Sequence, residues 1–216
     1  GNNNMFEEIE GKKKHSVAFT ILGIFVILAT IGGVAVAAYT WNFASNKANS
    51  ISTGSISMSL LESVDAIDIT DALPMQDSDG KAQGKKFDFS VTTSASGAPG
   101  NITYTLSITK LAVDSGYTAL PDSSVKVYLA TFDGNTETQV MAPKLVSKII
   151  TSGDTGVLTF DSGKTSYLTH AHTTANTTKT TKYRLRMWVD KDVDASSWTK
   201  DTKQQYKLKI STKGSI

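Results

Sequence analysis

Four aspartates near the C-terminus have the spacing of a calcium-binding loop. Asp190, Asp192, Asp194 and Asp201 stand at positions 1, 3, 5 and 12 of the loop template, where carboxylate oxygens coordinate the ion. Position 6 is Ala195 rather than the glycine that permits the sharp turn, and position 12 is not the usual bidentate glutamate. An acidic hairpin loop without an ion explains the same residues. We favour that interpretation and predict no metal or other cofactor.

Two histidines form a second candidate metal site, because their spacing is compatible with metal binding. In the segment THAH, His170 and His172 fall on the same face of any strand, because successive side chains of a strand point to opposite faces. No third ligand is predictable from the sequence. The threonine-rich segment that follows favours a solvated polar loop at this place, with the metal pair as the alternative.

The chain lacks a recognisable catalytic set of residues. A zinc protease needs two helical histidines with a glutamate between them, and none of the three histidines has that spacing. No serine stands in a nucleophile-elbow pattern. The absence of cysteine excludes disulfides and thiolate metal sites. The net charge of +2, without a basic face that carries aromatic residues, argues against nucleic-acid binding. We therefore predict neither an enzyme nor a nucleic-acid-binding protein.

The elements that carry these residues begin with an apolar segment. Residues 17–39 contain no charged side chain. At about 1.5 Å per residue a helix of that length is roughly 34 Å long, enough to cross a bilayer core of about 30 Å. Lys12, Lys13 and Lys14 precede the segment, so the positive-inside rule places the N-terminus in the cytoplasm. We predict a cytoplasmic leader over 1–15 and a transmembrane or signal-anchor α-helix over 16–40.

Two fates are open for the end of the apolar segment. The small residues of AVAA suit a signal peptidase, with cleavage before Tyr39. The length of the segment and the acidic leader GNNNMFEEIEG favour an uncleaved anchor, which we prefer. Under either fate we predict a protein at the cell surface or outside the cell, anchored in the membrane at least transiently.

Beyond the apolar segment, hydrophobic residues recur at every second position, which is the period of a half-buried strand. In NITYTLSI, the residues Ile102, Tyr104, Leu106 and Ile108 alternate with polar residues. Similar patterns, separated by turn-rich segments such as DSDG, SGAPG and TSGDTG, occur in ISTGSISMSL, FDFSV, VKVYLATF, GVLTF, YRLRMWV and YKLKI. Seven short strands with regular turns predict an all-β, antiparallel sandwich over 54–216. The one weak helix candidate of this region lies near residues 142–150.

The junction between the two regions resembles that of a known family. The run AAYTWNFASNKANSISTGSISMSLLES is similar to the start of the TasA/camelysin family of exported fibre proteins, in which a glycine opens the first strand as Gly54 does here. LPMQDSDGKAQGKKFDFSV and YRLRMWVDKD look like later parts of those sandwiches. The resemblance implies a jelly-roll-like sandwich and a structural subunit of a cell-surface filament or biofilm matrix.

The resemblance also implies that the protein binds further copies of itself. In such fibres the N-terminal strand of one subunit can complete the sheet of its neighbour, and the candidate donor here is the junction over 41–53. Its interface candidates are Tyr39, Trp41, Phe43 and Ile51. Trp41 and Phe43 alternate with polar residues, as a strand that fills pockets with every second side chain requires. Tyr39 and Trp41 equally fit the aromatic belt at the outer end of a membrane helix, and both interpretations stay open.

Two other functions compete with the donor-strand filament. A single-pass membrane protein would present the sandwich for adhesion or ligand binding at the cell surface. In a pilin-like filament, apolar helices would bundle in the core through small residues such as Gly32 and Gly33. The sequence also leaves open whether Asn101 in NIT and Asn176 in NTT are glycosylated.

Overall fold

The computed structural model describes residues 40–44, 48–53, 56–62, 67–96, 99–199 and 201–215, the first three ranges at the level of the backbone. The predicted leader with Lys12, Lys13 and Lys14, the predicted membrane segment up to Tyr39, and Gly54 lie outside the described residues. Among the helices of the described ranges, none combines the length and the apolar character that a membrane span needs.

The described elements are fourteen strands, one short α-helix and three 3-10 helices. The helix, α1, spans Asp77–Ala82, and the 3-10 helices span Asp122–Ser124, Val146–Lys148 and Ser162–Lys164. The strands are β1 (Thr40–Ala44), β2 (Ala48–Thr53), β3 (Ile56–Glu62), β4 (Ile67–Thr70), β5 (Pro74–Met75), β6 (Phe87–Ala95), β7 (Gly100–Leu111), β8 (Thr118–Ala119), β9 (Val125–Phe132), β10 (Glu137–Leu145), β11 (Thr155–Val157), β12 (Leu168–His172), β13 (Thr177–Asp190) and β14 (Gln204–Ser215).

The first sheet, sheet A, is built around β7 and β14. These two strands pair antiparallel from Lys207 opposite Leu111 to Ser215 opposite Thr103. On the far side of β14, β4 covers its first half and β1 its second half. On the far side of β7, β11 and β12 cover one half each. β8 pairs in parallel with the start of β14.

The second sheet, sheet B, has the strand order β10-β9-β13-β6-β3-β2. All neighbours along this order pair antiparallel, and β5 adds a short parallel pair at the end of β13. The longest strand, β13, therefore lies inside the sheet between β9 and β6. In this central position, β13 can have side chains that are buried on both faces of the sheet.

In the described residues, the main hydrophobic core joins the inner faces of the two sheets, and a smaller cluster contains Tyr128, Ala130 and Trp188. In β6 every second residue from Phe87 to Ala95 is buried, and β7 alternates in the same way from Ile102 to Ile108. Each buried apolar side chain gains about 25 cal/mol per Å² removed from water, which favours one register of each strand. The prediction of an all-β fold from alternating hydrophobicity is confirmed.

Two local predictions need correction. The predicted helix near 142–150 is wrong, because this stretch contains the end of β10 followed by the 3-10 helix at Val146–Lys148. Pro143 has no N–H group and disfavours a helix interior, while the register shifts of β10 at Met141 hide the strand period. Conversely, DSDG, where we expected a turn, is the first part of α1; Asp77 and Asp79 lie in the first turn of this helix, where negative charge is favourable.

Candidate functional site

The candidate donor segment contributes one edge strand to each sheet. β1 pairs antiparallel with β14 over five residues, from Thr40 opposite Ser215 to Ala44 opposite Ser211. β2 pairs with β3, and this pairing sets Ile51 opposite Met58. In the described residues, β14 is the one strand paired with β1, and β3 is the one strand paired with β2. The predicted single donor strand is thus divided between the two sheets.

The register of β1 assigns Trp41 and Phe43 to equivalent positions. Trp41 is opposite Gly214 and Phe43 is opposite Thr212, two buried positions of β14. Asn42 is opposite Lys213, which is exposed. Because directly opposed residues of antiparallel strands share a face of the sheet, Trp41 and Phe43 hold the positions of β1 that belong to the core face.

The outer edge of β10, by contrast, is closed by a loop of the same chain. The Ala142 N–H donates to the Asp161 carboxylate at 2.9 Å, and the Asp161 N–H donates to the Val140 carbonyl at 2.8 Å. The Gln139 side-chain amide donates to the same carboxylate at 2.8 Å. Pro143 and the register shifts of β10 add two further features that prevent edge-to-edge pairing. The sequences of β1 and β2 contain neither proline nor a charged residue.

His170 and His172 lie on β12 and are buried, with 7% and 1% of their surfaces exposed. Both rings meet the hydroxyl of Thr93 on β6: Nδ1 of His170 is 2.7 Å and Nε2 of His172 is 2.8 Å from Oγ1. The prediction that both histidines fall on one face of a strand is confirmed. The preferred prediction of a solvated loop is wrong, because threonine hydroxyls from sheet B satisfy the rings inside the core.

Hydrogen bonds join Thr177, His172, Thr93 and His170 into a row that we call the proton chain. The partners of His172 determine which group donates in each of these bonds. The Thr177 hydroxyl donates to the Thr174 carbonyl at 2.9 Å, so its oxygen accepts from Nδ1–H of His172 at 2.8 Å. A neutral His172 then accepts at Nε2, and the donor is the Thr93 hydroxyl. The Thr93 oxygen is left to accept from Nδ1–H of His170. We infer both tautomers from these partners.

Two tyrosines continue this chain beyond His170. Nε2 of His170 is 2.7 Å from the Thr181 hydroxyl and 3.3 Å from the Tyr104 hydroxyl, both of which are able to donate to it. The Tyr104 and Tyr183 hydroxyls are 2.6 Å apart. Burial raises the pKa of both tyrosines, lowers the pKa of His170 to about 4, and lowers the pKa of His172. Both imidazoles are therefore neutral at pH 7.

Three of the four aspartates of the calcium-loop pattern have separate partners, and the fourth, Asp201, is exposed. Asp190 is buried at the end of β13, where Nζ of Lys126 is 2.9 Å from its Oδ1. Asp192 pairs with the neighbouring Lys191, and Asp194 accepts a backbone hydrogen bond within its own turn. In the part of the chain that the structure describes, no group of three or more histidines and acidic residues is arranged to hold a metal ion.

The sequence did not predict a charge cluster on the outer face of sheet B, in which the arginines are buried and the carboxylates are partly exposed. Nε and Nη2 of Arg184 donate to the two carboxylate oxygens of Asp88 at 2.7 and 2.8 Å. Glu137 bridges Arg184 and Arg186, and the centroid of the Phe132 ring lies 3.7 Å from the guanidinium carbon of Arg184. Hydrogen bonding to Arg186, followed by that to Arg184, lowers the pKa of Glu137 to about 2. In YRLRMWV the arginines alternate with apolar residues, which indicates that they point outward. No sequence pattern connects them with their partners Asp88 and Glu137.

Helix α1 covers the same outer face beside this cluster. Trp188 is fully buried beneath it, and a Cβ atom on Gly80 would lie 2.3 Å from the Trp188 ring. Glycine is therefore required for the close approach of helix and ring. Nζ of Lys126 is 3.0 Å from Oδ1 of Asp77 in the first turn, which ties α1 to β9.

The cluster around His170 and His172 and the cluster around Arg184 and Arg186 differ in chemistry from the edges of the sheets. The clusters join buried polar side chains to one another, which is a structural use of titratable groups. Edge strands have backbone N–H and C=O groups with which a further strand can pair. Comparison with known proteins gives no family assignment: no family model matches the chain, and no curated protein matches it.

Proposed function

We propose that the protein is an exported, non-enzymatic structural subunit of a cell-surface filament or biofilm matrix. In this proposal a membrane or signal-type helix over 16–40 precedes a jelly-roll-like sandwich, and the partners are copies of the same chain. The observation that carries the proposal is the place of β1. This strand begins at Thr40, the last residue of the range predicted for the membrane helix, and forms an edge of sheet A, paired with β14.

A strand at such an edge is exchangeable between subunits. The β1 strand of a neighbouring subunit can form the same five-residue antiparallel pair with β14 that the subunit's own β1 forms, so the backbone hydrogen bonds are conserved. Exchange through a head-to-tail contact produces an open filament rather than a closed dimer. The register supports this use, since Trp41 and Phe43 hold alternate positions on the core face, as a donor strand requires.

The difference between the edges gives further support. The outer edge of β10 is closed by Asp161 and interrupted by Pro143, features that keep a sheet from pairing with another chain. The β1 sequence, TWNFA, lacks the charged residues and prolines that usually protect an exposed edge. We therefore expect assembly through the β1–β14 edge rather than through β10.

The test replaces the two aromatic residues of β1 together. We expect Trp41→Ser with Phe43→Ser to abolish or strongly shorten filaments in electron micrographs of the extracellular material. The matched control is Asn42→Ser, which changes the alternate position of the same strand and should leave filaments intact. A melting experiment on each purified variant checks that the sandwich is folded. Normal filaments from the double variant would contradict donor-strand exchange, and monomers from the wild type under all conditions would contradict the filament itself.

The runner-up function is a permanently anchored sandwich for adhesion or ligand binding. It is favoured by the apolar segment, whose 23 uncharged residues, 17–39, suffice to cross a bilayer. The native mass separates the two functions: a mature N-terminus near Tyr39 in the extracellular fraction favours the donor-strand polymer, whereas an intact leader in membranes favours the anchored head. Filaments that retain the leader would instead favour a pilin-like core of bundled helices.

A further inference from the structure

Strand β12 is attached to sheet B mainly through its two histidines. Its backbone pairs with β7, from Leu168 opposite Tyr104 to His172 opposite Gly100. The strand has no titratable residue other than the histidines, and Leu168, at the remaining position on their face, is half-buried. The side-chain hydrogen bonds from this face to sheet B in the described structure all involve the two rings.

The proton chain around these rings has no place for an additional proton. If His172 gains a proton at Nε2, this N–H points at the Thr93 oxygen, which already accepts from His170. The Thr93 hydroxyl must then turn its own hydrogen away from the ring that accepted it. If His170 gains a proton at Nε2, the Thr181 hydroxyl must turn in the same way. Each protonation therefore takes away the acceptor of a threonine hydroxyl hydrogen and adds a charge to the core.

The groups that face the rings provide no counter-charge. β7 contributes Tyr104 and β13 contributes Tyr183, and burial keeps both hydroxyls neutral. The charged group that acts on both histidines is Lys179 on β13, which further lowers the pKa of each ring. β6 contributes the uncharged Thr93. Among the described partners of the two rings there is no carboxylate to stabilise an imidazolium.

We propose that His170, Thr93 and His172 form an acid-sensitive latch that holds β12 against the sandwich, and that mild acid releases this strand while the rest of the fold persists. Release exposes the backbone of β7 from Gly100 to Tyr104. The proposal concerns one strand of the sandwich and is independent of any assembly into filaments.

Neighbouring elements explain why release is local. β13 and β6 remain paired over nine residues, from Thr177 opposite Ala95 to Leu185 opposite Phe87. β7 keeps its long antiparallel pairing with β14 on the other side. β11, sequence TGV, covers the other half of β7 on the same side as β12 and contains no titratable side chain. β11 is therefore a matched internal control for β12.

Hydrogen exchange of the full chain in detergent tests the latch. Amide protection is measured by mass spectrometry at pH 7 and pH 4.5 and corrected for the intrinsic exchange rate at each pH. We expect protection of β12 to fall roughly tenfold or more at pH 4.5, from the linkage between proton binding and strand opening, while protection of β11 stays within about twofold. An equal fall in both strands, or no fall in β12, would overturn the proposal.

A variant without titratable rings provides the second measurement. In His170→Asn with His172→Gln, amide groups replace the ring nitrogens that face Thr93, and we expect the acid sensitivity of β12 to disappear. Persistent sensitivity in this variant would contradict the latch. If the variant does not fold, a nuclear magnetic resonance titration of the wild-type histidines decides: pKa values well below the ordinary value of about 6.5 support the latch, and ordinary values refute it.

Discussion

The two halves of β13 differ in how they are held in sheet B. In residues 177–182 the outer face is exposed and bears hydroxyl pairs with β6: Thr92 with Thr180 at 2.8 Å and Ser94 with Thr178 at 2.9 Å. The inner face of the same half binds the histidines of β12. In residues 183–190 every side chain is buried, inside by the core and outside by α1 and the charge cluster.

This difference teaches that one strand can be stabilised by two kinds of interaction. The second half depends on packed volume and on ion pairs of buried arginines, and the loss of either is costly at neutral and mildly acidic pH. The first half depends on hydrogen bonds between neutral groups, which are sensitive to protonation and to the loss of a single hydroxyl. Substitutions should therefore separate the halves by size of effect and by pH dependence.

The largest effect is expected from Trp188→Ala in the second half. Trp188 is fully buried beneath α1, and removal of a buried aromatic side chain leaves a cavity that costs about 3–5 kcal/mol of unfolding free energy. Urea unfolding monitored by circular dichroism measures the loss. Tyr167→Ala is the control, since Tyr167 is half exposed and its truncation should change stability by less than about 0.5 kcal/mol. A loss below about 1 kcal/mol for Trp188→Ala would remove the distinction between the halves.

Acid should cause the second largest loss of unfolding free energy. The loss should come from protonation of the histidines that the first half of β13 binds. The pKa of His170 is lowered to about 4 in the folded protein, so the unfolded chain binds more protons between about pH 6.5 and pH 4. The histidine contribution is thus fully present above pH 6.5 and is lost as the pH falls through this window, by up to about 3 kcal/mol.

Unfolding free energies measured from pH 7 to pH 4 check this window. Glu137 of β10, which pairs with Arg184 and Arg186 of the second half, has a pKa lowered to about 2, so its contribution is present above its ordinary pKa and is lost only at more acidic pH. A free energy that stays constant from pH 7 to pH 4.5 would show that the pKa values of the buried histidines are not lowered in the folded protein.

The smallest expected loss of stability comes from a comparison of the two faces of β6, the strand that pairs with the first half of β13. Thr93 and Thr92 are neighbours on β6, and Thr93 binds both histidines whereas Thr92 faces solvent. We expect Thr93→Val to cost about 1–3 kcal/mol because two buried ring nitrogens lose their partner, and Thr92→Val to change stability by less than about 0.5 kcal/mol. Thermal unfolding of the two variants under identical conditions gives the comparison. Equal losses would show that the buried hydroxyl adds nothing to stability.

Some of this contrast was predictable from the sequence. The strands β6, β7, β9, β13 and β14 follow from a period of two, because alternation is a local property of consecutive residues. The same alternation placed His170 and His172 on one face. β10 was hidden because its register shifts and Pro143 interrupt the period, and β12 because its buried side chains are polar.

The environment of those polar residues was decided only by the tertiary structure. Thr93 lies 77 residues before His170, and Asp88 lies 96 residues before Arg184, so no local pattern connects these partners. The sequence by itself determined which residues alternate, and with them the all-β class of the fold. Which polar residues are buried depended on the pairing of distant strands, because a histidine or an arginine enters the interior only where the rest of the chain supplies its hydrogen-bond partners.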